Sequence, residues 1–115
     1  MLRTFAKLTP TLGYMIASLA MSIIENAHLR AKAGHADAMV EALPAALAVL
    51  RADENCHEAS ALRCIERPNE FVFVIRWTDV QSHLNFREAP EFADYRAKFS
   101  EHLEEVIGFA HYDEL

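Results

Sequence analysis

The chain is poor in the residues that break or cross-link structure: of 115 residues, three are glycine, four proline and two cysteine. Set against 52% apolar residues, that scarcity excludes a disordered or low-complexity chain. The length suits one domain with a real core and is too short for two. Basic residues are also few, eleven Lys and Arg against seventeen Asp and Glu, for a net charge of −6. With no basic patch and no glycine-rich phosphate loop, a phosphate-tracking surface is excluded and no nucleic-acid partner is expected. No repeat is present. The apolar run from Leu12 to Leu19 is too short to cross a bilayer, so no membrane partner is expected either.

The two cysteines, Cys56 and Cys64, would share a face of one strand, roughly 26 Å apart at ~3.3 Å per residue. That separation excludes a disulfide between them, and the spacing is not that of a CxxC metal clip. Both read as buried free thiols, which fits a reducing, cytoplasmic compartment. Residues 1–20 carry Arg3 and Lys7, no acidic residue, and the small-x-small end Ser18-Leu19-Ala20. An export signal, an extra helix, or an over-long start with translation beginning at Met21 all fit this extension. The last is preferred, because nothing else suggests secretion. In each case the functional domain is 21–115.

Within that domain, Ser22 to Arg30 reads as a strand with one face Ile24/Asn26/His28/Arg30 and the other Ile23/Glu25/Ala27/Leu29. Lys32-Ala33-Gly34 is a turn. A helix follows from His35, with Met39, Leu43, Leu47 and Leu50 on one stripe and Pro44 expected to kink it near Val40 or Glu41. Cys56 to Ile65 is a second strand, Arg67-Pro68-Asn69 a hairpin turn, and Phe71 to Trp77 a strand apolar on both faces, hence central. Thr78 or Asp79 caps a short helix to about Glu88. Pro90 opens a longer one, with Phe92, Tyr95, Phe99 and Leu103 aligned, and Val106 to Tyr112 is a last strand.

The order β-α-β-β-α-β is that of the ferredoxin-like α+β unit, an antiparallel four-stranded sheet with helices on one face. The other face, carrying Val72 and Val74, is too apolar to leave in water, so a homodimer packed sheet to sheet is expected.

The run from Glu70 to Asp79, then His83 and Pro90-Glu91-Phe92, resembles the antibiotic biosynthesis monooxygenase domain. Ala31-Lys32-Ala33-Gly34-His35 and Asn55-Cys56 are similar to its opening turn and second strand, and the resemblance spans about 22–112. It implies a dimeric α+β barrel with a pocket between sheet and helices. It also implies one of several activities: cofactor-independent oxidation of polyphenols or quinols, heme degradation, or isomerisation of small sugars.

Four residues are candidate catalytic groups. Asn26 is an amide in mid-strand, where strand propensity is poor, and it matches the Asn of heme-degrading relatives. Trp77 offers a pocket wall and one N–H donor. His83 is a candidate general base, since imidazole titrates near neutrality, and His28, on the same strand face as Asn26, is its rival. Tyr95, Phe99, Phe73 and Phe92 are candidate substrate-lining groups. Each of these residues also has a purely structural reading as core or as a satisfied polar group.

No metal site is expected, because the six histidines show no i, i+4 pair with a nearby carboxylate. The resemblance puts Arg96 where heme-degrading relatives carry the axial His, which weakens heme ligation. The leading expectation is therefore a cofactor-free monooxygenase acting on a small aromatic or quinol-like substrate and O₂. Heme binding and a non-catalytic ligand-binding module are the alternatives. A sugar-phosphate isomerase fits less well, for want of basic residues near the pocket.

Overall fold

The computed structural model describes residues 22–115, so the reading of residues 1–20 as an extension lies outside the described residues. The elements are β1 (Ile23–Ala31), α1 (Ala36–Arg51), β2 (Cys56–Arg63), β3 (Glu70–Trp77), α2 (Val80–Glu88), α3 (Pro90–Ala97), a 3₁₀ turn (Ser100–His102) and β4 (Leu103–Tyr112). The strands form one antiparallel sheet in the order β2-β3-β1-β4, the ferredoxin-like arrangement. As its apolar sequence requires, β3 is internal, paired with β1 on one side and β2 on the other.

The faces of the sheet follow from strand parity. In β3, Phe71, Phe73, Ile75 and Trp77 are buried beneath the helices, while Val72, Val74 and Arg76 sit half-buried on the open face. Glu25, Ala27, Leu29 and Ala31 of β1 share the helix side. The stripe Met39, Leu43, Leu47 and Leu50 of α1 closes the core over them. Pro44 is accommodated within α1 because it lies on the solvent side, where water can take the Val40 carbonyl that loses its donor. Gly34 holds a positive φ of 80° in the turn before α1, a conformation that a side chain disfavours.

Three boundaries differ from the sequence reading. The final helix stops at Ala97 rather than running to Leu103, because β4 begins at Leu103, opposite Ala31. The chain must reverse before that pairing, and the 3₁₀ turn does so, its His102 carbonyl accepting from the Lys32 N–H at 2.9 Å. β2 ends at Arg63, since Cys64 N–H already bonds the Glu70 carbonyl across the hairpin. Finally, a bulge between Cys56 and Glu58 shifts the parity of β2. Cys56 is thereby buried beside Ala59, while Cys64 is only half-buried, and both thiols are free.

Phe73 has no exposed surface and packs edge-on to Tyr95 and tilted against Phe99, with centroids 5.9 and 5.8 Å away. Phe73→Ala is expected to lower the unfolding free energy by about 3–5 kcal/mol, read from a urea or guanidinium midpoint at unchanged slope.

Candidate active site

Glu25 is the odd member of an otherwise apolar strand face, 5% exposed and directly opposite Ile75 in the β1–β3 register. The same register puts Ile23 opposite Trp77, one step along the helix side, and the fully buried Trp77 indole N–H donates to Glu25 Oε1 at 2.8 Å. Helix α2 supplies the third member. Its N-cap is Asp79, whose carboxylate accepts from the Ser82 N–H and hydroxyl at 2.8 and 2.7 Å and is thereby held below the usual carboxylate range. One turn in, His83 is stacked on the Trp77 ring (centroids 5.4 Å apart, planes 19° from parallel) with its Nε2 3.3 Å from Glu25 Oε1. Its Nδ1 meets His111 Nε2 of β4 at 2.7 Å.

His83 is therefore hydrogen-bonded to His111 through Nδ1, while its Nε2 faces the Glu25 carboxylate at 3.3 Å. Burial dominates the electrostatics of the pair. It raises the Glu25 carboxyl above its ordinary value, against the Trp77 hydrogen bond and the charge of Arg87. It lowers His83 to about 4, with His111 and Arg87 adding to the effect. Burial likewise pushes the Tyr95 phenol up, with Glu25 as the next cause.

These groups border a cavity of about 60 Å³ lined by Glu25, Trp77, His83, Phe86, Phe92, Tyr95 and Phe99, with Arg87 and Arg96 among its walls. Trp77, His83, Tyr95, Phe99 and Phe92 thus come together at its walls. Phe73 does not border the cavity and packs beneath it. Asn26 and His28 are also apart from it, a correction to the expectation of one shared cavity. They have the opposite parity to Glu25, so they lie on the open face, opposite Val74 and Val72. Asn26 Oδ1 is buried there without a partner, whereas the His28 side is exposed.

Sequence reasoning missed Glu25 as a site residue, although a carboxylate on the apolar parity of β1 was a visible signal. It also missed Arg87 and gave Arg96 only as the place of an absent iron ligand, so the supposed lack of basic residues near the pocket does not hold. His111 had no signal, because its contact with His83 depends on how β4 pairs with β1, Glu25 facing His111. Among the described residues, no group of three His, Cys, Asp or Glu is arranged to hold a metal, and no helix is long and apolar enough to cross a membrane.

The fold and the buried carboxylate-imidazole pair beside an aromatic cavity define a small α+β protein with a concave site between sheet and helices. Residues 22–98 match the family model described as antibiotic biosynthesis monooxygenase. That match covers more than half of the chain, which belongs to this family. Among solved structures, it is similar to a Bordetella bronchiseptica protein provisionally named an antibiotic biosynthesis monooxygenase. The TM-score is 0.77 at 23% identity, covering 82% of this chain and 97% of that one. A conserved protein of Methanosarcina mazei Go1 aligns with TM-score 0.72 at 15% identity, over 87% of this chain and 99% of that one. A Pseudomonas aeruginosa protein aligns with TM-score 0.69 at 20% identity, over 84% and 97%. At these identities the likenesses show the fold. No match to a curated protein was found.

The perturbed pair has a signature in stability. His83 binds its proton less well folded than unfolded, so the unfolded chain takes up more protons between about pH 6.5 and 4, and acidification through that window favours unfolding. Glu25 acts in the opposite sense: its contribution is full below the ordinary 4.5 and is lost as pH rises through its raised value. His83→Gln is expected to flatten the loss of stability on going from pH 6.5 to 4, as measured by denaturant midpoints across that range.

Proposed function

We propose that the protein is a cofactor-independent monooxygenase of a small aromatic or quinol-type substrate. The observation that carries this reading is the buried Glu25 carboxylate at an aromatic cavity, with its Oε1 held by Trp77 and His83. Because both of those contacts fall on Oε1, Oε2 is left to take a proton from substrate. A buried carboxyl of raised pKa is suited to general-base work near neutrality. His83, hydrogen-bonded to His111 and facing the carboxylate, acts here as the group that positions and polarises Glu25. This assigns to Glu25 the base role that the sequence suggested for His83 or His28.

Proton removal from a phenol or an acidic C–H leaves an electron-rich carbanion or phenolate that can reduce O₂ directly. Recombination at carbon gives a peroxide anion, whose distal oxygen takes the proton back from Glu25 to form the hydroperoxide. Glu25 then removes the second C–H proton as the O–O bond breaks, and that proton joins the departing hydroxide as water. A CH₂ group thus becomes C=O, with one oxygen atom in the product and one in water. The Trp77 N–H keeps the Glu25 carboxylate oriented through the cycle. A heme-based reading finds less support, because Arg96 offers no iron ligand at the cavity.

The same reading includes a homodimer through the open sheet face. Half-buried Ile24, Val72 and Val74 and exposed Leu62 and Tyr112 lie there around the unpartnered Asn26 oxygen. A second copy would cover the apolar surface and could supply that oxygen with a donor. Light scattering after gel filtration is expected to give twice the chain mass for wild type and the monomer mass for Val74→Arg. A wild-type monomer would contradict the dimer.

The activity is tested by oxygen uptake with anthrone- and quinol-type substrates after chelator treatment. Glu25→Gln is expected to lower kcat by about 10²–10⁴-fold, with smaller losses for His83→Gln and Trp77→Phe and none for His28→Ala. The kcat of the wild type should rise with pH through the raised Glu25 value. No uptake across the panel, or full activity in Glu25→Gln, would sink this reading.

A further inference from the structure

Seven arginines lie among the described residues, and five of them have protein partners. Arg30 pairs with Glu105 and Glu70, Arg63 with Asp37, Arg67 with Glu70, and Arg76 with Glu58 and Glu114, while Arg51 donates to the Ala59 carbonyl. In a chain with an excess of acids this is the expected fate of a guanidinium.

Arg87 and Arg96 are the two exceptions. Neither has an ion pair or a hydrogen-bond acceptor among the described residues, and both line the cavity. Arg96 Nε is buried without an acceptor. Instead of acids, the two guanidiniums face aromatic rings. Arg87 lies 4.9 Å from the Phe109 centroid and 6.0 Å from that of Phe92, and Arg96 lies 5.8 Å from Phe92 and 6.0 Å from Phe99. Phe92 therefore sits between two unpaired, fork-shaped cations. Arg87 follows His83 by four residues on α2, so both project from one side of that helix toward the cavity.

We propose that Arg87 and Arg96 form an anion-recognition element, and that the cavity takes a planar phenolic substrate bearing a carboxylate. The ring would lie among the phenylalanines, its hydroxyl toward Glu25 and its carboxylate on the two guanidiniums, whose geometry suits bidentate pairing. At about 60 Å³ the cavity is smaller than the roughly 150 Å³ that admits benzene. Entry of a ring therefore requires the arginine side chains to leave their aromatic contacts, and the carboxylate gives them a new partner. Glu25, the negative group facing Arg87, is the competing anion, and its raised pKa weakens that competition.

This inference rests on the cavity being the reaction site, and its test is made by binding so that it does not depend on turnover. The probes are 2,5-dihydroxybenzoate and 1,4-dihydroxy-2-naphthoate, each compared with its methyl ester by isothermal titration of the full chain. At least one acid is expected to bind tenfold or more tightly than its ester, and more weakly as salt is raised. Arg87→Gln and Arg96→Gln should each cost that acid tenfold or more and leave the ester unchanged, with Arg→Lys intermediate. The melting temperature of each variant is measured first, so that a loss of binding is separated from the loss of the arginines' aromatic contacts.

Equal binding of acid and ester, equal losses for both in the variants, or no binding of either acid by wild type would overturn the proposal. Arginine-dependent binding of the acid without oxygen uptake would leave it standing and remove the oxygenase reading. Uptake with the esters that ignores both arginines would do the reverse.

Discussion

The antiparallel register of β1 against β3 is the constraint on which the site depends. It sets Ile23 opposite Trp77 and Glu25 opposite Ile75, so the carboxylate and the indole become diagonal neighbours on one face. A slip of one residue would turn Glu25 out to the open face and bring Asn26 in. Apolar parity favours this face: Ala27 and Leu29 pair with Phe73 and Phe71 in the core. The chemistry-bearing carboxylate is therefore placed by the packing of its apolar neighbours.

Burial then sets the character of the site. A carboxyl and an imidazole, each 5% exposed and 3.3 Å apart, could form a salt bridge, yet desolvation pushes the acid up and the base down. The nearby Arg87 guanidinium deepens the second effect and moderates the first. The result is a pair in which burial disfavours charge on both members, in a pocket walled by Phe86, Phe92 and Phe99.

How much of this was legible in the sequence depended on whether a residue's role was local. The strand Phe71–Trp77, the α1 stripe and the Asp79 cap were readable because period and capping act over a few residues. The four-strand order and the family also followed, since the run from Glu70 to His83 carries both. Asn26 drew a catalytic reading because an amide is unusual in a strand, although it lies on the face opposite to Ala27 and Leu29. Parity with Ala27 and Leu29 pointed to Glu25 instead. His111 was beyond reach, because its place depends on how a bulged edge strand pairs with β1.

The family match ends at residue 98, whereas β4 begins at Leu103. Glu25, Trp77 and His83 lie inside the matched portion, and His111 and Phe109 outside it. β4 is also an edge strand, bonded to β1 alone. The site is thus divided between Glu25 and Trp77 on the two inner strands, with His83 on α2, and His111 and Phe109 on the margin of the sheet. Fraying of the edge strand would take His111 from His83 while leaving the inner register paired on its other side.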